Sequence, residues 1–464
     1  MIVSNPEPLR LPDLFRCFQG VIPSMVATAD SSGIPNVTYV SQIHFLDERH
    51  VALSCQFFNK TRRNLDENPR ACAELYDPVT FEAYRLRLRF LRSEKSGGLF
   101  DQMKARIDAI ASMTGMAGIF RLIAADVFEV ERIERVAGYL SDHWPADKSG
   151  GVSVDGLRTE LRGVQVVSDR INRSESLDAL LDGVLETLDT WFGFHHTMLL
   201  LPDEGTGRLV TVASRGYGES GVGAEVTPGE GVIGTVAQTR KVMRFSGLES
   251  DLRYARAIRR EAISRGGAPA APEIPLPGLP NAQSALVIPL VLCGRLVGVL
   301  AAESGDPMRF GEWHEAYLEV IGNQIALGID RMLERERQDD DEPDEAASAP
   351  LPRVAPGRKL HNVVYYKADD AIFVDDEYLV RSVPARILWK LLSEWKQRSR
   401  TEFTNRELRV DPFLGLPEVR DNLESRLILL RRRLDEKCPD VRIASTGRGR
   451  FALQVASLIN LQER

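Results

Sequence analysis

The sequence LESRLILLRRRLDEK, at residues 423–437, decides the architecture of the C-terminal part of this chain. Leucines at positions 423, 427, 430 and 434 have the spacing of one face of an α-helix. Arginines occupy much of the remaining surface, at Arg426 and at Arg431, Arg432 and Arg433. The stretch therefore predicts a helix that packs on a core through leucines and offers arginines to a partner. Consecutive residues point in different directions around a helix, so the three adjacent arginines cannot all face one groove.

The residues around this helix predict two further helices and small strands. A strand hairpin at 371–380 turns at Asp375-Asp376, and Ser382 is the predicted N-cap of the next helix. Thr404 and Glu407 have the spacing of a capping box for a short second helix. The third helix is predicted from about Pro417, and two strands joined by STGRGR at 445–450 end the unit.

This layout suits contact with double-stranded DNA. A helix can enter the major groove, arginines neutralise phosphates, and a Gly-rich loop with arginines can approach the backbone closely. Residues 358–464 contain 21 Lys and Arg against 16 Asp and Glu, a net charge of +5, whereas the rest has 38 against 50, a net charge of −12. The candidate DNA-binding residues are Arg420, Arg426, Arg431, Arg432, Arg433, Arg448 and Arg450.

The segment resembles the OmpR/PhoB family of winged-helix effector domains. The resemblance rests on VRSVPARIL at 380–388, TNREL at 404–408, LESRLILLRRRL at 423–434 and IASTGRGRFAL at 443–453. It departs from the family at Arg386, where the family has Glu, and in the loop 411–417. The alternative is a protein-binding winged helix whose arginines face solvent.

Composition divides the rest of the chain. The acidic, Ala/Pro-rich segment 334–358 is predicted to be a linker, and 266–280 a mobile loop. We expect a multidomain protein: a β split barrel at 8–137, an α/β domain at 165–333 and an α+β winged helix at 359–458.

The middle unit carries PGEGVIG at 228–234, SALVIPL at 284–290 and RLVGVLAAE at 295–303. These motifs resemble those of GAF domains, which implies a sheet that holds a small ligand or mediates dimerisation. Adjacent residues on a strand point to opposite faces, so His195 and His196 are not expected to bind one metal ion. The apolar stripe of the closing helix suits either a dimer seam or packing on its own sheet. Its members are Leu318, Ile321, Ile325, Ile329 and Met332.

The N-terminal unit carries TADSSGIPNVT at 28–38 and KTRRNLDENPR at 60–70. It resembles the FMN-binding split barrel of the pyridoxamine 5'-phosphate oxidase type. The resemblance implies that Lys60, Thr61 and Arg62 hold the flavin phosphate, and that the ring and ribityl chain are lined by Thr38, Ser41, Ser54, Cys55 and Gln56. The oxidase's own substrate residues are not recognisable. The alternative is a barrel without a cofactor.

The whole sequence favours a one-component transcription regulator. Five scattered cysteines and the lack of a signal-peptide pattern predict a cytoplasmic protein, and Pro289, Gly294 and Arg295 break the most apolar stretch, so no membrane partner is expected. The expected partners are double-stranded DNA, a small-molecule effector and a second copy in a homodimer. The rival hypothesis is a flavin-dependent oxidoreductase with appended regulatory domains.

Overall fold

The computed structural model describes residues 9–56, 59–136, 154–203, 205–217, 221–264, 278–341, 359–416, 423–447 and 449–464. Its chain divides into two compact units. The first comprises residues 1–161, 228–288 and 301–318, and the second comprises 162–227, 289–300 and 319–464. Most of the predicted mobile loop 266–280 and of the linker 334–358 lies outside the described residues.

The N-terminal region folds as a seven-stranded sheet with two helices and a leading 3-10 helix. The elements are the 3-10 helix Leu11–Gln19, β1 (Ser24–Ala29), β2 (Pro35–Val40), β3 (Ile43–Phe45), β4 (His50–Cys55), α1 (Asn59–Glu67), β5 (Arg70–Tyr76), β6 (Ala83–Glu94), α2 (Gly98–Met113) and β7 (Ala124–Arg135). The strand order is β2-β1-β5-β6-β7-β4-β3. Every second residue of β1 is buried, as expected for a strand with one face on a core.

The sequence predicts strands at 24–29, 50–54, 71–77 and 83–93, and the structure has a strand at each of these places to within about a residue. The sequence interpretation did not identify β3, α2 or β7. β3 has only three residues, and α2 buries Met103, Ala105, Ala109 and Ile110 without a clean apolar stripe. Periodicity is weak in such elements because burial on more than one side blurs the polar and apolar faces.

The middle region forms a six-stranded sheet and five helices. Its elements are α3 (Val154–Arg173), α4 (Leu177–Phe192), β8 (His196–Asp203), β9 (Arg208–Arg215), β10 (Glu225–Val226), α5 (Gly231–Thr239), β11 (Met243–Ser246), α6 (Leu248–Ser264), β12 (Ser284–Leu292), β13 (Arg295–Ser304) and α7 (Glu312–Asp341). The strand order is β10-β9-β8-β13-β12-β11. The sequence predicts that the apolar runs 284–290 and 295–303 form a hairpin that turns at Cys293-Gly294, and the structure confirms this turn, with positive φ at both residues.

The structure corrects one expectation about α7 and favours one of two alternatives for its apolar stripe. The helix continues to Asp341, into the segment 334–358 that was predicted to be linker, because residues 333–338 are mostly strong helix formers. The apolar stripe from Leu318 to Met332 is buried within the chain, so packing on its own domain accounts for it. Gly328 illustrates the closeness of this packing, since a Cβ there would lie 2.7 Å from Ile171 Cγ2.

The C-terminal region contains two small sheets and three helices. Its elements are β14 (Leu360–Tyr366), β15 (Ala371–Val374), β16 (Glu377–Arg381), α8 (Ser382–Arg398), β17 (Glu402–Thr404), α9 (Asn405–Arg409), α10 (Leu423–Lys437), β18 (Val441–Gly447), β19 (Arg450–Val455) and β20 (Leu458–Glu463). The sheet orders are β16-β15-β14-β20 and β17-β19-β18. The leucines of α10 at 423, 427, 430 and 434 join the same core as Phe403 and Phe451.

Local predictions in this region have mixed outcomes. The Thr404 cap is confirmed, since its Oγ1 accepts a hydrogen bond from the Glu407 N–H at 3.2 Å. The Asp375-Asp376 turn is confirmed too, with positive φ at both residues. Ser382 is not the N-cap: it is the first helical residue, with a φ of 57°, and the cap position falls on Arg381. A third strand, β20, pairs parallel with β14 and carries the region beyond residue 458.

Candidate functional site

Three of the residues expected around a flavin meet at one small cavity in the first compact unit. Ser41 follows β2, Ser54 lies in β4, and Gln56 follows β4. They line a cavity of about 40 Å³ together with Gln42, His44, Met103, Arg106, Ile107, Ile110, Phe120, Asp251 and Ala255. Such a volume admits a few water molecules, whereas pockets for larger ligands usually exceed about 300 Å³. A flavin ring therefore does not fit while Asp251 and Ala255 hold these positions.

Two expected ring residues lie away from this cavity lining. Thr38 is part-buried in the middle of β2, opposite Val26 of β1. Cys55 is buried at the end of β4, and burial raises the pKa of its thiol. A thiol with a raised pKa stays protonated and unreactive at neutral pH, so Cys55 is suited to packing.

The expected phosphate residues lie together in the first turn of α1. Lys60 is exposed, whereas Thr61 is buried and its Oγ1 accepts a hydrogen bond from Asn36 Nδ2 at 2.9 Å. A helix start offers free N–H groups and a partial positive charge, which favour an anion. Lys60 and Thr61 therefore fit the phosphate end of a ligand, although the cavity does not fit a ring.

Arg62 is already paired within the protein. Its guanidinium contacts Asp126 at 3.0 Å and Asp66 at 2.8 Å, donates to Ser93, and stacks over the Phe90 ring at 4.8 Å. Burial raises the pKa of Asp126, and Ser93 and Arg62 only partly offset this rise. Arg62 thus compensates a buried carboxylate, and a phosphate would have to compete with Asp126 for it.

Sequence reasoning missed a second connected group of this region, which centres on Arg106 of α2. Arg106 Nη2 contacts Asp251 of α6 at 2.7 Å, its Nη1 donates to the Arg244 carbonyl at 2.9 Å, and its guanidinium lies 4.2 Å from the Phe245 ring centroid. Burial raises the pKa of Asp251 and lowers that of the nearby His44 to about 3. These residues lie far apart in sequence and belong to no short motif, so only the fold brings them together.

A second link in the same unit joins α2 to the start of α5. The Gly231 N–H donates to Ser112 Oγ at 2.7 Å. The cap position of α5, Glu230, supplies no side-chain hydrogen bond of its own. Ser112 therefore satisfies one of the helix-start donors that an N-cap side chain ordinarily satisfies.

In the second unit, four of the candidate DNA-binding arginines lie on α10 and all four have acceptors. Arg426 contacts Asp203 at 2.7 Å, Arg431 contacts Glu424 at 2.7 Å, and Arg433 contacts Glu436 at 2.8 Å. Arg432 contacts both Asp178 and Asp182 of α4, at 2.5 and 2.7 Å. Arg450 begins β19 and is part-buried, whereas Arg420 and Arg448 lie outside the described residues.

A cavity of about 530 Å³ lies beside α10 in this unit. Its apolar walls include Leu201, Val210, Val212, Val222, Leu379 and Leu429. Its charged lining residues are Asp203, Glu225, Glu377, Arg381, Arg426, Arg433, Glu436 and Lys437. Arg381 and Glu225 pair with each other through two hydrogen bonds, one of them at 2.7 Å. The charges around this cavity are therefore largely neutralised by one another.

His195 and His196 contact different neighbours. His195 contacts Asp189 at 2.7 Å on an exposed surface, and the His196 ring lies 5.6 Å from that of Tyr217. Among the residues that the structure describes, no group of three or more His, Cys, Asp or Glu side chains is placed to hold a metal ion. None of the described helices is long and apolar enough to span a membrane.

Comparison with known families identifies two of the three regions. Residues 13–132 match the sequence model of the pyridoxamine 5'-phosphate oxidase family, and residues 174–330 match that of the GAF domain. The chain is thus a multidomain protein with an N-terminal domain like pyridoxamine 5'-phosphate oxidase and a GAF domain. Neither match extends into residues 359–464. No curated protein matches the chain.

Similar solved structures include two GAF domains and an FMN-binding protein. The GAF domain of an Acinetobacter phosphoenolpyruvate-protein phosphotransferase is 22% identical, with 37% of this chain and 93% of that chain covered and a TM-score of 0.30. The corresponding domain from Coxiella burnetii is 20% identical, with 39% and 99% covered and a TM-score of 0.32. An FMN-binding protein from Syntrophomonas wolfei subsp. wolfei is 19% identical, with 27% and 86% covered and a TM-score of 0.23.

Proposed function

We propose that this chain is a transcription regulator that binds double-stranded DNA through residues 359–464 and senses a small molecule through its other two domains. A domain like pyridoxamine 5'-phosphate oxidase and a GAF domain fit a sensory or regulatory protein. The observation that carries the DNA-binding part is the combination, on α10, of a leucine core face with Arg426 and Arg431–Arg433, directly before the β18–β19 hairpin.

The order of elements supports this proposal. A helix that enters the major groove needs a rigid base, which the core around Phe403 and Phe451 provides for α10. Arg450 lies where the β18–β19 hairpin turns back, so it can reach the DNA backbone beside such a helix. Arginine suits both tasks because its planar guanidinium binds phosphate and guanine in a bidentate manner.

The N-terminal domain is proposed to bind a phosphate-bearing ligand such as FMN at the start of α1. Lys60 and Thr61 supply the charge and the donors for the phosphate, while a ring would need α6 to move Asp251 and Ala255 aside.

The DNA-binding part is tested by titrating the full chain into a pool of fluorescent 30-base-pair duplexes of random sequence and measuring anisotropy at several salt concentrations. We expect binding that weakens steeply as salt rises, because each neutralised phosphate releases counterions. Sequencing the retained duplexes then shows whether one sequence is enriched. Absence of binding at low salt would sink the proposal.

Single substitutions localise the contact. Arg450→Gln is expected to weaken binding across sequences and to lower the salt dependence by about one counterion. Arg132→Gln is the matched control, since this arginine is exposed on β7 of the N-terminal sheet. Equal losses for the two variants would indicate non-specific attraction to the whole protein rather than binding through the C-terminal region.

A further inference from the structure

The arginine-bearing surface of α10 is covered in this structure. Ser425, Arg426, Ile428 and Leu429 are all buried, although they lie away from the leucine face that joins the core. A helix that reads the major groove has to present one face to the DNA. Here that face is occupied by other residues of the same unit.

The covering surface is acidic. Asp203 ends β8 and contacts Arg426, and the two side chains are only 13% and 6% exposed. Asp178 and Asp182 lie one turn apart on α4, and both bind the guanidinium of Arg432. We call Asp178, Asp182 and Asp203 the acidic face. Its carboxylates offer Arg426 and Arg432 the same kind of oxygen acceptor that DNA phosphates would offer.

We propose that the acidic face is an internal DNA mimic that holds α10 in a DNA-free state. This inference rests on the proposed DNA binding and adds its regulation. Arg426 and Arg432 cannot serve carboxylates and phosphates at once, so DNA has to displace the acidic face before it can engage these residues. Both surfaces belong to one compact unit, so they meet at high effective concentration.

The contact is built to be reversible. A cavity of about 530 Å³ remains beside it, lined by Leu429 of α10 and by Val210 and Val212 of β9. Protein interiors that are meant to stay closed are packed at the density of organic crystals and contain few voids larger than water. Asp178 and Asp182 are also 42% and 65% exposed, so solvent and salt weaken their attraction to Arg432.

The acidic face belongs to the segment that matches the GAF domain, which spans residues 174–330. Any ligand that shifts α4 or the end of β8 would change the number of carboxylates that reach α10. Such a ligand acts by favouring either the covered or the open population of α10, in proportion to its difference in affinity for the two. The acidic face thus couples ligand binding in the GAF domain to the affinity of α10 for DNA.

The experiment compares the full chain with the triple variant Asp178→Asn/Asp182→Asn/Asp203→Asn, using the same duplex pool. Amides keep the size of the side chains and remove the charge, so we expect DNA affinity to rise about tenfold or more. The control Asp169→Asn/Glu175→Gln/Glu319→Gln removes three exposed carboxylates and changes the net charge equally. An equal rise in the control would overturn the inference, because it would report overall charge alone.

Two additions keep the test decisive. Asp203→Asn removes the carboxylate that the buried Arg426 contacts, so the double variant Asp178→Asn/Asp182→Asn is used if the triple variant unfolds. The double variant should show a smaller rise in DNA affinity than a folded triple variant. Phenylglyoxal labelling, followed by peptide mass spectrometry, measures the accessibility of Arg426 and Arg432 without DNA. Faster labelling of these arginines together with tighter DNA binding supports the inference.

The failures are distinguishable. Wild-type protein that binds DNA as tightly as the variants would overturn the masking and leave the proposed function standing. Binding by none of the proteins, with faster arginine labelling in the variants, would overturn DNA binding and masking alike while retaining the ion pairs themselves.

Discussion

Arg106 and Arg426 each pair with an aspartate of the GAF-domain segment at 2.7 Å, yet the surroundings of the two pairs differ. Arg106, besides its contact with Asp251, donates to the Arg244 carbonyl and packs on the Phe245 ring. The cavity beside this pair has a volume of only about 40 Å³. Arg426 and Asp203 lie beside a cavity of about 530 Å³. The other ion pairs of this contact join Arg432 to Asp178 and Asp182, whose side chains are 42% and 65% exposed. Contact distance is therefore a poor guide to strength; packing and solvent access decide whether a pair fixes a structure or can open.

The largest loss of unfolding free energy is expected when Arg106 is removed from its tightly packed pair with Asp251. Arg106→Leu leaves the buried Asp251 carboxyl without the guanidinium that compensates it, which should cost about 3–5 kcal/mol of unfolding free energy. Lys104→Leu is the control on the same helix, since its pair with Asp108 is exposed and should contribute less than about 1 kcal/mol. Calorimetry of the full chain measures both. Similar melting temperatures for the two variants would contradict the structural role given to Arg106.

Two glycines compare the tightness of packing directly. Gly247 and Gly223 both have positive φ, so alanine strains the backbone at each by about 1–2 kcal/mol. A Cβ at Gly247 would lie 2.6 Å from Val21 Cα, whereas one at Gly223 would lie 3.4 Å from Leu429 Cδ1. Gly247→Ala should therefore destabilise by about 1–3 kcal/mol more than Gly223→Ala, because backbone cannot move aside as a side chain can. Equal losses in chemical unfolding would mean that the two contacts are packed alike.

Lowering the pH should destabilise the region around Arg106, because this region contains His44, a histidine with a lowered pKa. Burial, and then the charge of Arg106, lowers the pKa of His44 from 6.5 to about 3. The unfolded chain takes up this proton more readily than the folded protein, so the stability that His44 contributes is complete above pH 6.5 and is lost as the pH falls towards 3. The loss is about 1.4 kcal/mol per pH unit, or roughly 2 kcal/mol by pH 5. Asp251, whose pKa is raised, loses charge over the acid range as well, so the variant His44→Gln isolates the histidine.

Melting temperatures between pH 7 and pH 5 measure this effect. His44→Gln should flatten the pH dependence of the melting temperature. A wild-type protein whose stability is flat over this range would refute the assignment.

The smallest effect on stability is expected for the pair Arg381–Glu225, which lines the cavity beside α10. Arg381 and Glu225 are 44% and 13% exposed, and Glu225 also contacts Arg208 at 2.9 Å. A double-mutant cycle with Arg381→Gln and Glu225→Gln should give a coupling of less than about 1 kcal/mol, because solvent screens the pair. A coupling of several kcal/mol would mean that this pair is as strong as Arg106–Asp251, and it would argue against a reversible contact at α10.

Sequence patterns were informative where local rules govern the structure. Leucine spacing identified α10, the Thr404 cap marked the start of α9, and Asp375-Asp376 marked a turn. Motif resemblance located the two domains that family matches also identify. In each case the residues that decide the element lie within a few positions of one another.

Other features depend on residues that the fold brings together from far apart. Arg106 and Asp251 are separated by 145 positions, and Arg432 and Asp178 by 254. Arg426 and Arg432 belong to an apparently free basic surface in the sequence because their acidic partners, Asp203 and Asp178, lie in another domain. Likewise, Arg62 was assigned to a phosphate on the strength of a motif, although Asp126, 64 positions away, already binds it.

The hydrogen bond from the Gly231 N–H to Ser112 Oγ bears on how these domains can be rearranged. A GAF domain excised from this chain, or transplanted into another protein, would leave behind the residue that caps α5. Truncation at the family boundary would then yield a domain with a frayed helix start, costing about 1 kcal/mol. Recombination during evolution faces the same constraint, so the N-terminal domain and the GAF domain of this protein are expected to be inherited as a pair.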